Sequence, residues 1–114
     1  MSEIKLKKLE KLVFDLKQQI HDIGDLRPGS LSKQMRKSKD KYGAYWHLSY
    51  THLGKGHTQY VRNEFMDQIR RETANFKRFR RLLDRLISIS IALSQFRMET
   101  AKSAALNQVK TRYS

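Results

Sequence analysis

Apolar and polar positions alternate along this chain in two periods. From Ser2 to Ile23, Leu6, Leu9, Val13, Leu16, Ile20 and Ile23 recur at three–four–three spacing, with Lys and Glu between them. That is the a/d seam of a coiled coil and predicts a helix ending at Gly24, a natural C-terminal stop. The seam can pair with another chain or pack on a second helix of the same one. Residues 24–44 hold no good helix, and the one proline sits in the turn Arg27-Pro28-Gly29-Ser30. After it, Leu31, Lys33 and Met35 share one side of a short edge strand over residues 31–36.

The period then shortens to two. From Tyr45 to Thr51, Trp46, Leu48 and Tyr50 alternate with Tyr45, His47 and Ser49, the pattern of a half-buried strand. Leu53-Gly54-Lys55-Gly56 predicts a turn in which the glycines supply φ > 0, and His57 to Arg62 the returning strand. With Trp46, Leu48 and Tyr50 turned toward the helices, Tyr45, His47, Ser49 and Thr51 face out. Their expected neighbours there are Lys55, His57 and Gln59. Asn63 is the expected N-cap of a second helix from Glu64 to about Lys110. Within it Phe79, Leu82, Leu86, Ile89, Leu93 and Phe96 repeat the a/d spacing, and Phe65, Ile69 and Phe76 carry an apolar stripe back to the hairpin. The fold class expected is α+β: an N-terminal helix (1–23), a two- or three-stranded antiparallel sheet (24–62) and a long C-terminal helix (63–114) with coiled-coil character, together one structural unit.

Charge changes the picture. The 114 residues hold 24 Lys and Arg against 11 Asp and Glu, a formal net charge of +13. Such an excess repels itself until it meets a polyanion, and nucleic acid is the commonest one. A mean hydropathy of -0.73 leaves little for a large core, which favours an elongated or oligomeric protein. There is no cysteine, which excludes disulfide scaffolds, cysteine zinc sites and thiol catalysis. Lys5, Lys7, Lys8, Glu10 and Lys11 interrupt the apolar positions near the N-terminus, so no signal peptide is read, no membrane association is expected, and a cytoplasmic location is.

Three groups of residues could carry chemistry. Arg70, Arg71, Lys77, Arg78, Arg80, Arg81 and Arg85 crowd the start of the second helix, mostly off its apolar stripe. Arginine suits bidentate phosphate contacts, and one sign dominates here, so phosphate binding is favoured over a merely solvated face. The hairpin and the segment before it add Lys33, Arg36, Lys37, Lys39, Lys41, Tyr45, His47, Lys55, His57, Gln59 and Arg62 as candidate nucleic-acid contacts. A small sheet can enter the major groove of DNA. The same aromatics could instead only stabilise the sheet by cross-strand pairing. Of His21, His47, His52 and His57, only His21 has an acidic neighbour in sequence, Asp22, and with no cysteine no metal site and no cofactor is expected. No phosphate-cradling glycine loop or nucleophile elbow occurs, and a lone hairpin tyrosine such as Tyr60 is not a nucleophile site. A non-enzymatic protein is expected.

Leu26-Arg27-Pro28-Gly29-Ser30-Leu31-Ser32-Lys33-Gln34, Gly43-Ala44-Tyr45-Trp46-His47-Leu48-Ser49-Tyr50 and Gly54-Lys55-Gly56-His57-Thr58-Gln59-Tyr60-Val61-Arg62 together resemble a family of small prokaryotic proteins catalogued as a domain of unknown function. The resemblance spans about residues 24–96. It implies an aromatic hairpin before a helix and an accessory role beside the transposases or recombinases of mobile elements. Members commonly carry a cysteine cluster where this chain has Lys37-Ser38-Lys39-Asp40-Lys41, so a metal role does not carry over. Gly29-Ser30-x-x-Lys33, then Tyr45-x-x-Leu48-x-Tyr50 and a glycine turn, is also similar to the three-stranded arm-binding domains of tyrosine recombinases, whose sheets read DNA in the major groove. The function expected is DNA binding, as an accessory subunit of a recombination or transposition complex, with a homo-oligomer or a recombinase or transposase as the coiled-coil partner. The alternatives are an RNA- or ribosome-binding protein and a coiled-coil adaptor that recruits an acidic partner.

Overall fold

The structure, a computed structural model, describes residues 2–35 and 44–113, with side chains for 3–33 and 45–106. The element order is helix α1 (Ser2–His21), strands β1 (Ser30–Met35), β2 (Ala44–His52) and β3 (Lys55–Val61), a 3-10 turn (Asn63–Phe65) and helix α2 (Met66–Tyr113). This is the expected α+β arrangement, with the sheet three-stranded and antiparallel in the order β1-β2-β3. The chain divides into two compact units, one of residues 1–22 with 81–114 and one of residues 23–80.

In the unit of residues 23–80, β2 is central because it has the strongest alternation. Leu48 is fully buried and forms a core with Val61, Met66 and Ile69, against which Leu31, Trp46 and Tyr50 pack. The helix contribution comes from Met66, Ile69 and Thr73, spaced three and four apart so that they share a face. Thr73 is the one buried polar residue among those described, and its Oγ1 donates back to the carbonyls of Ile69 (2.9 Å) and Arg70 (3.2 Å). Phe65, expected on the stripe, is 47% exposed, because the 3-10 turn puts it out of phase with α2. That turn also displaces the expected cap. Arg62, in extended conformation, occupies the N-cap position of the 3-10 turn, and no side chain caps it. The segment before β1 is tied to the helix by Arg27 N–H to the Glu72 carbonyl (3.2 Å) and Asn75 Nδ2 to the Asp25 carbonyl (2.9 Å).

The hairpin turn has two residues, Leu53 and Gly54, with φ of 52° and 78°. Gly56, expected in the turn, lies in β3 opposite Thr51. Positive φ at both turn positions is the form that matches strand twist, and Asn-Gly is its preferred sequence. Leucine pays about 1 kcal/mol in that region through its Cβ. Leu53 is 86% exposed, so it recovers nothing by packing. Leu53→Asn is therefore expected to raise stability by about 0.5–1 kcal/mol, read as a shift in urea midpoint at unchanged slope.

In the other unit, α1 packs on α2 beyond residue 80. Every α1 seam position within the helix is half-buried or buried, with Leu16 at 2% exposure; on α2 the same holds for Leu82, Leu86, Ile89, Leu93 and Phe96, with Leu93 at 6%. Lys5 Nζ lies 4.9 Å from the centre of the Phe96 ring, and Arg97 Nη2 is 3.2 Å from Glu10 Oε1. Both seams thus bury within one chain. Among the described residues no helix is long and apolar enough to cross a membrane.

Candidate nucleic-acid interface

Strand register decides which hairpin side chains share a side. Tyr50 opposes His57, Leu48 opposes Gln59, and Trp46 opposes Val61 across β2 and β3. Leu31 opposes Leu48 and Lys33 opposes Trp46 across β1 and β2. Residues directly opposite point to the same face. Lys55, His57 and Gln59 therefore stand on the side of the core, not beside Tyr45 and His47 as expected, and Lys33 stands there too. The cause is parity. A two-residue turn makes paired positions sum to an odd number, so even positions of β2 align with odd positions of β3. The outer face instead carries, among the described side chains, Ser30, Ser32, Tyr45, His47, Ser49, Thr51, Thr58 and Tyr60.

On that outer face three rings meet. Tyr45 and His47 are edge-to-face at 4.8 Å, and Tyr45 and Tyr60 lie 6.0 Å apart at 42°. Tyr45 and His47 are half-buried, while Tyr60 is 53% exposed. Among the described side chains, those around them are hydroxyls, with no carboxylate. Ser, Thr, Tyr and His both donate and accept hydrogen bonds, the groups needed to contact base edges and phosphate oxygens.

The residues on the helix side of the sheet rim are engaged with one another. His57 stacks on Tyr50 (4.9 Å, 20°), the Arg27 guanidinium lies 5.0 Å from the Tyr50 ring, and Arg27 Nη2 donates to Gln59 Oε1 at 3.4 Å. Arg27, read from sequence only as part of a turn, is the link in this set. His57 and Lys77 line an open cleft of 540 Å³ with Pro28, Gly29, Tyr50 and Phe76. Arg62 is 2.8 Å from Glu64 and so is neutralised at close range.

On α2, Arg70, Arg71, Lys77 and Arg78 are all exposed. Their spacing of i, i+1, i+7 and i+8 sets them around exposed Ala74, one turn from each pair. The Arg70 guanidinium is also 5.3 Å from the Trp46 ring, a cation–π contact that fixes it beside the sheet. Arg81 is exposed and belongs to the other unit. Arg36, Lys37, Lys39 and Lys41 lie outside the described residues. Among the described residues, no three His, Asp or Glu side chains are grouped to hold a metal ion.

Compared with known families, with curated proteins and with solved structures, the chain matches none of them, so the resemblance to the small prokaryotic family rests on the motifs quoted above.

Proposed function

We propose that the protein binds duplex DNA, with the outer face of the three-stranded sheet in the major groove and the cations around Ala74 on the phosphates. The observation that carries this reading is the outer face itself. Eight hydrogen-bonding side chains among those described, Ser30, Ser32, Tyr45, His47, Ser49, Thr51, Thr58 and Tyr60, stand there without a carboxylate. They belong to a unit that holds 13 of the 24 Lys and Arg residues and 5 of the 11 Asp and Glu. A face of this kind has the donors and acceptors for base edges, and the surrounding charge supplies sequence-independent affinity. An accessory place in a recombination or transposition complex follows the motif resemblance and is part of the same proposal.

The ring cluster favours a second reading, single-stranded RNA or DNA stacked on Tyr60 and its neighbours. Thr58→Ala with His47→Ala separates the two. For a groove reader, this pair changes which duplex sequences are preferred and costs about 1–3 kcal/mol on the preferred site. For a stacking platform, Tyr60→Ala weakens single-strand binding by about 1–3 kcal/mol per base and the Thr58 change does nothing. The comparison is made on a randomised duplex pool and on single strands of the same length. Lys55→Ala and Gln59→Ala, on the other side of the sheet, should leave preference unchanged.

A further inference from the structure

The two seams that bury within the chain leave a second one uncovered. Along α2, Ile87, Ile91, Ser94, Met98, Ala101 and Ala105 recur at four–three–four–three–four spacing, and all six are exposed. Ile87 is 48%, Ile91 54% and Met98 62% exposed. Leu86, Ile87, Ser90, Ile91 and Ser94 line a shallow groove of 420 Å³ there. A heptad stripe is the signature of a partner helix.

We propose that this stripe is a dimer interface, and that its occupant is α2 of a second copy. Charge selects the occupant. Residues 86–96 form the longest run without Asp, Glu, Lys or Arg in either helix of a chain that is 31% charged. An acidic partner would be drawn to the cations, not to this face. Two copies carrying +13 each can meet only where neither brings charge. A two-fold contact of a face with itself meets that condition and closes without leaving a free patch.

Side-chain volume selects the direction. In an antiparallel pair, Ile91 lies against Ser94 of the second copy and Ile87 against Met98, so each layer sets a large group on a smaller or flexible one. A parallel pair would stack Ile91 on Ile91 and leave Ser94 facing Ser94. The antiparallel pair also sends the Arg-rich starts of α2 to opposite ends. In this register residues 87–98 pair with themselves, a stretch of about 18 Å at 1.5 Å per residue that holds four layers of such a seam.

Sedimentation equilibrium of the full chain, without nucleic acid, tests this. The wild type is expected at twice the chain mass at about 50 µM, and Ile91→Lys at the single mass with unchanged helical circular dichroism. A monomeric wild type, or a dimer that survives Ile91→Lys, overturns the interface. Because the chain has no cysteine, direction is read by mixing Ile87→Cys with Met98→Cys chains under mild oxidation. Disulfides between the two variants are expected. Disulfides of each variant with itself overturn the antiparallel pair. Dimerisation is read without nucleic acid, so it stands or fails apart from DNA binding.

Discussion

Leu48→Ala is expected to destabilise the unit of residues 23–80 by about 3 kcal/mol, within the range for truncating a fully buried leucine. Leu48 is the only described large side chain with no exposed surface. It sits at the middle of the central strand and reaches Val61, Met66 and Ile69 at once. The loss includes a cavity as well as lost transfer free energy, because the surroundings cannot close in. Gly29 lies against it at φ 145°, and a Cβ there would come 2.5 Å from Leu48 Cδ1. That backbone is already as near as a glycine allows. For a small unit, 3 kcal/mol is a large share of total stability. Urea unfolding followed by Trp46 fluorescence reads it, since the chain's one tryptophan packs on the same core. A loss under about 1 kcal/mol would mean that the sheet does not depend on this core.

Arg71→Gln, Lys77→Gln and Arg78→Gln together are expected to lower duplex affinity on the order of 100-fold near physiological salt, with the log–log salt slope reduced by about three. The three side chains are exposed and surround Ala74. Their removal should therefore leave the urea midpoint nearly unchanged, opposite to Leu48→Ala. Arg70 is left in place because its contact with Trp46 also supports the sheet. The loss should be equal for every duplex sequence, since phosphate contacts carry no sequence information. An unchanged slope would make this a solvated helix face and nothing more.

The adaptor alternative takes a different form once the seams are seen to bury within the chain. Leu86 is half-buried between α1 and α2 in the same unit, so Leu86→Asp would disturb the fold before it disturbed any partner. A helical partner has access to Ile91 instead.

Much of the fold was legible because the periods are clean. Trp46, Leu48 and Tyr50 at period two mark the central strand and its buried side. Leu6 through Ile20 and Leu82 through Phe96 mark two seams at heptad spacing. What failed was set by single residues at junctions. The facing of Lys55, His57 and Gln59 is a separate matter of counting: a turn of two residues or of four aligns even positions of β2 with odd positions of β3, so these three share the face of Trp46, Leu48 and Tyr50. One 3-10 turn shifts the cap from Asn63 to Arg62 and takes Phe65 off the stripe. Met66, only 6% exposed, is the residue that the shift brings inward. The second seam on α2 is hidden from a hydrophobic pattern because Ser94, Ala101 and Ala105 fill three of its six positions. Arg27 carries no periodic signal at all; only the fold brings it to Tyr50 and Gln59.

We propose that the outer sheet face and its surrounding charge serve duplex DNA. Fluorescence anisotropy of the full chain with labelled duplex DNA, single-stranded DNA and duplex RNA, each across a salt series, tests it most directly. Duplex DNA is expected to bind most tightly, with log affinity falling against log salt at a slope of several units. Equal, weak binding to all three at physiological salt would contradict it.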